Sequence, residues 1–139
     1  MRIVSPQAIR PGLVAAIDPA ILKLAGVTRL GPSDCAGPHP FLCLWNAGDR
    51  HWAWTALTSS DNQKGWSAMR NRIAIPPEDR LGDSRMFLLS PCYVHDVETV
   101  WIAHADTWVE ASIIDKCKEE MWISPPMLER VLARMRRAA

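Results

Sequence analysis

The chain has 139 residues, 48% of them hydrophobic, and a formal net charge of +1. That length suits one domain with its own core and no disulfide or metal staple, and the charge excludes both a polyanionic nucleic-acid mimic and a strongly basic nucleic-acid coat. No apolar run approaches the ~20 residues of a membrane span, and Met1 to Pro6 lacks the apolar core of a secretory signal, so a soluble, cytoplasmic protein without a membrane partner is expected.

Leu13 to Ile17 is a short apolar run suited to a strand. Asp18-Pro19 then offers an N-cap and a proline for the first helical position, which predicts a helix from Pro19 to Ala25 that stops at Gly26. Gly31 to Asp34 and Gly37-Pro38 mark a loop. From Pro38 to Ser60 the pattern predicts a hairpin, with strands at Phe41–Trp45 and His51–Leu57 around the turn residues Asn46 to Arg50. Its second strand alternates Trp52, Trp54 and Ala56 against Ala53, Thr55 and Leu57, apolar on both faces, and runs out into the hydroxyls of Thr58, Ser59 and Ser60.

Asp61 to Gly65 is a polar loop, and Arg72 to Ile75 is a strand halted by Pro76-Pro77, which cannot donate to a ladder. Glu78 to Arg85 is a charged loop, and Met86–Leu89, Tyr93-Val94 and Val100–Ala103 are three further short strands. Trp108 to Trp122 has helical composition. Ser124-Pro125-Pro126 opens a capped helix with Met127, Leu128, Val131, Leu132 and Met135 on one stripe, as core packing or a dimer contact requires. The expected fold is mainly β with a C-terminal helix (α+β): a single domain over 1–139, with a small barrel over about 10–106 and a helical segment over about 108–137.

The four cysteines contain no C-x-x-C pair, and a reduced compartment argues against disulfides. Cys35, His39, Cys92 and His95 fit no standard zinc spacing, so no metal and no cofactor is expected. Cys43 in a strand and Cys117 in a helix read as small buried hydrophobes.

Several short segments, in this order, resemble the MazF/PemK family of toxin endoribonucleases. Gly12-Leu13-Val14 with Ile17-Asp18-Pro19 is similar to the family's opening strand. Pro38 to Leu44 is similar to its Arg-Pro-Val-Leu-Ile strand, and Leu57-Thr58-Ser59 to its Val-Thr-Ser strand end. Ile114-Asp115-Lys116 and Ile123 to Val131 resemble its Ile/Leu-Asp-Lys segment and its last helix. The resemblance spans nearly the whole chain and implies an SH3-like barrel that cuts single-stranded RNA without a metal, by activating the 2′-hydroxyl against its own phosphate, and that is neutralised by an antitoxin.

Such chemistry needs a base, an acid and donors for the phosphate oxygens. Thr58 and Ser59 are the candidate donors; the competing role for both is to terminate the strand on local backbone. The family's Arg-x-Asp pair has no clean counterpart, and Leu13 stands where its early Glu would be. The nearest match is His104-Ala105-Asp106, expected on one face of a strand as an Asp-oriented imidazole suited to general acid or base work. Arg70 and Arg72 share a strand face suited to a phosphate, or serve as solvated edge charges. Trp66, one of seven tryptophans, is the expected exposed ring for stacking a base or anchoring a protein.

The missing Arg and Glu, the near-neutral charge and the surplus of Trp support a second expectation: a catalytically inactive barrel that binds a protein or ribonucleoprotein, as a phage- or plasmid-encoded anti-defence inhibitor would. A homodimer is compatible with either.

Overall fold

In the computed structural model of the chain, residues 5–29, 39–58, 73–82, 93–94, 100–112 and 121–138 are described. Among the described residues, nine antiparallel strands and three α-helices make an α+β fold. The strands are β1 (Leu13–Ile17), β2 (Thr28–Arg29), β3 (His39–Gly48), β4 (His51–Thr58), β5 (Ile73–Ala74), β6 (Arg80–Leu81), β7 (Tyr93–Val94), β8 (Val100–His104) and β9 (Met121–Ile123). The helices are α1 (Pro19–Leu24), α2 (Ala105–Ala111) and α3 (Pro125–Ala138). The main sheet runs β2-β8-β4-β3-β1-β9-β6, with β7 pairing the far end of β4 and β5 pairing β7. Among the described residues no ladder joins β2 to β6, so the sheet is open along this path. No helix among them is long and apolar enough to cross a membrane.

Alternation along the strands sends side chains to two separate cores. Leu13, Ala15, Ile17, Phe41, Cys43, Trp54, Ala56, Trp101 and Ala103 face one side, where Leu22 of α1 and Ala105, Trp108 and Ala111 of α2 cover them. Val14, Leu42, Leu44, Ala53, Leu57 and Val100 face the other, covered by Met127, Val131 and Met135 of α3. The predicted stripe of the last helix is therefore a core stripe. Both faces of β4 are apolar because both are roofed by helices.

Aromatic rings fill the first core. Trp54 stacks on Trp108 with centroids 5.1 Å apart, and Phe41 meets Trp101 edge-on at 6.3 Å and Trp108 at 5.9 Å. The Trp108 indole N–H donates to the Trp52 carbonyl at 3.0 Å, whereas the buried Trp54 N–H has no partner among the described residues. Burial pushes the Cys43 thiol far above its usual range, so it is a neutral hydrophobe, as expected from its place in a strand.

The caps follow the sequence closely. Asp18 accepts from the Ala20 N–H at 3.0 Å, Pro19 opens α1, and Gly26 takes the left-handed conformation just past its end. Ser124 precedes α3; its hydroxyl accepts from the Met127 N–H at 3.3 Å and donates to the Asp79 carboxylate at 2.6 Å, tying the helix start to the 77–79 turn.

Three local expectations are corrected. Trp108 to Trp122 is not one helix: α2 ends at Ala111, and Met121–Ile123 is a strand inserted between β1 and β6, which carries the sheet well beyond residue 106. The charged loop 78–85 contains β6, whose Arg80 is buried. The hairpin turn is tighter than Asn46 to Arg50, because β3 continues to Gly48 through two register shifts. Asp49 and Arg50 alone make the turn, with φ of 47° and 61°, the positive pair that a two-residue type I′ connection demands. Arg50 holds a conformation that costs a side-chain-bearing residue about 1–2 kcal/mol. Arg50→Gly is therefore expected to stabilise the protein by about 0.5–1 kcal/mol, read as a raised midpoint in urea; an unchanged or lowered midpoint would show that Arg50 makes compensating contacts.

Candidate functional site

β4 and β8 pair so that His51 lies directly opposite His104. Their rings meet edge to face with centroids 5.3 Å apart. Both residues are half-buried at the hairpin end of the sheet. The turn is docked onto the start of α2, because the Ala105 N–H donates to the Arg50 carbonyl at 2.8 Å. Three elements thus converge on one imidazole pair.

Each ring has a fixed backbone partner. His51 Nδ1 lies 2.8 Å from the Asp49 carbonyl oxygen, which can only accept, so this nitrogen carries the proton and the lone pair of the neutral ring is on Nε2. His104 Nδ1 lies 3.1 Å from the Asp106 N–H, which can only donate, so this nitrogen is bare and the neutral ring carries its proton on Nε2. The adjacent rings are therefore held in opposite tautomers, one presenting a proton acceptor and the other a donor. Asp106 Oδ2 lies 3.5 Å from His104 Nδ1, placed to pair with the ring if it becomes doubly protonated.

His104 and Asp106 do meet, but not as residues sharing one strand face. β8 ends at His104, which serves as the N-cap of α2, and Asp106 stands in the first helical turn. The imidazole is oriented by the Asp106 backbone before its carboxylate is involved.

Thr58 is elsewhere. It ends β4 beside Tyr93, while His51 begins the same strand. At about 3.3 Å per residue the two are on the order of 20 Å apart, so within one chain the Thr58 end and the His104 end form separate places. The Thr58 side chain, Ser59, Trp66, Arg70 and Arg72 lie outside the described residues, as do Asp115, Cys35, Cys92, Cys117, His95 and the His39 side chain. Among the described residues no three His, Cys, Asp or Glu side chains are grouped to hold a metal ion.

His51 is the residue that sequence reasoning overlooked. It reads as the polar first residue of a strand, and its partner is remote in the chain. No family model, curated protein or solved structure matches the chain.

Proposed function

We propose that this protein is a cytoplasmic, metal-independent endoribonuclease of the MazF/PemK toxin type that cleaves single-stranded RNA and is restrained by an antitoxin. The observation that carries the reading is the His51–His104 pair. Cleavage of RNA by its own 2′-hydroxyl requires a proton acceptor, a proton donor and anion stabilisation, and the pair places two imidazoles, a side chain suited to proton exchange, at one half-buried edge of the sheet. The finer reading of the fold as an SH3-like barrel has two supports. Register shifts in the β3–β4 hairpin bend and twist it, and β4 pairs with β8 along its first part and with β7 at its end.

The separation of Thr58 from His104 favours a second reading, a catalytically inactive barrel that binds a protein or ribonucleoprotein. Purified protein incubated with single-stranded RNA in EDTA separates the two. The nuclease reading expects cutting by the wild type and a loss of roughly 10²–10⁴-fold in His104→Ala. A wild type that cuts nothing, yet captures a stoichiometric partner from host lysate, would establish the binding protein instead.

A further inference from the structure

We infer that Arg50 holds a backbone phosphate of single-stranded RNA through its guanidinium, from the turn that adjoins the His51–His104 pair. The inference rests on the nuclease reading above and adds to it the anion contact that RNA cleavage needs besides proton exchange.

The observation that carries it is a residue type at odds with its backbone. A two-residue turn with positive φ at both positions favours Asn or Asp followed by Gly. Asp49, at 47°, meets that demand because its short polar side chain tolerates the left-handed region; Arg50, at 61°, does not. Pairing with a neighbour would offset the strain, yet Arg50 is exposed and no hydrogen bond or ion pair ties its guanidinium to any described residue. A side chain held there against the backbone's preference, with nothing in the described fold to hold it, points to a contact outside the fold.

The turn beneath it is fixed. The Arg50 carbonyl accepts from the Ala105 N–H at 2.8 Å, the Asp49 carbonyl from His51 Nδ1 at 2.8 Å, and Asn46 Oδ1 from the Gly48 N–H at 2.7 Å. A guanidinium rooted on such a backbone loses less freedom on binding than one carried by a loose loop. Its planar fork donates two parallel bonds to a phosphate, a geometry that a lysine ammonium does not reproduce. Asp49 and Asp106 are exposed carboxylates at the same end of the sheet, Asp106 lying 3.5 Å from His104 Nδ1. With two acids beside one arginine the turn does not draw a polyanion from a distance, so the phosphate is held by direct contact.

Arg50→Gly and Arg50→Asn remove the cation and suit the left-handed backbone, whereas Arg50→Lys keeps both charge and strain. The probe is a short single-stranded RNA with methoxy groups in place of its 2′-hydroxyls, which binds but cannot cut itself, followed by fluorescence anisotropy in EDTA. The Gly and Asn variants are expected to bind about tenfold more weakly or worse, with the slope of log affinity against log salt reduced by about 0.7. Their urea midpoints should move the other way, rising in Arg50→Gly and not falling in Arg50→Asn. Arg50→Lys should keep the salt slope and recover only part of the affinity. Loss of a merely structural contact would lower stability and binding together.

Gly and Asn variants that bind the RNA as well as the wild type would overturn this inference and leave the nuclease reading standing. A lowered urea midpoint in Arg50→Gly would also overturn it, because Arg50 would then be serving the fold. Wild-type protein that neither binds nor cuts RNA would overturn both, and a protein captured by the wild type but not by Arg50→Gly would then assign the turn to an acidic protein surface instead.

Discussion

Trp108→Ala is expected to destabilise the protein by about 4 kcal/mol, enough to lower Tm by roughly 15 °C. Three losses coincide at this side chain. Its ring is fully buried between Trp54 and Phe41, so truncation opens a large cavity among neighbours that cannot collapse into it. Each aromatic contact contributes about 0.5–1.5 kcal/mol beyond burial. The Trp52 carbonyl also loses the indole N–H that it accepts from. Trp54→Phe is a useful contrast, because it removes a buried N–H that has no partner among the described residues and so forgoes volume but no hydrogen bond. Thermal unfolding followed by circular dichroism should rank Trp108→Ala far below Trp54→Phe. Equal losses would mean that the Trp108 hydrogen bond is not what distinguishes the two indoles.

The second large effect is expected at Arg80. Pro76 and Pro77 have no N–H to offer a ladder, so the chain after β5 folds back on itself, and Arg80 Nε and Nη2 both donate to the Ile75 carbonyl, at 2.8 and 2.5 Å. Arg80 is only 7% exposed, so these bonds lie away from water. Arg80→Ala should cost about 3 kcal/mol, combining lost charge-assisted bonds, a buried carbonyl stripped of its donors and lost packing of the side-chain stem. Arg80→Lys should recover only part of this, since a single ammonium cannot reproduce the planar fork. The midpoint of urea unfolding should fall with little change in slope. A neutral Arg80→Ala would mean that another donor serves Ile75.

Local chemistry was legible where a few neighbouring residues decide the outcome. Asp18-Pro19 and Ser124-Pro125 mark helix starts because a capping oxygen and a fixed φ act within one turn. The β3–β4 hairpin is equally legible, down to the alternation of Trp54 against Ala53. β9 was not, because Met121, Trp122 and Ile123 become a strand by lying between β1 and β6, and neither neighbour is nearby in the chain. β6 is two residues long, too short for any period to show. The site divides in the same way. His104 and Asp106 were identified from their spacing, although a strand was expected to continue through them where a helix begins. His51 emerges only from the β4–β8 register, a fact about pairing that no residue near it encodes.

The β1–β9 ladder has a consequence for the order of events at the ribosome. Val14 pairs with Met121 and Leu13 with Trp122, so β1 waits on a segment synthesised long after it. Until residues 121–123 emerge, one edge of β1 stays unpaired and α3 has no complete surface to pack on. Contacts between such distant residues carry a heavy loop-closure cost and slow folding. Completion of the sheet around β1 is therefore expected to lag the pairing of β3, β4 and β8, whose residues all emerge before β9.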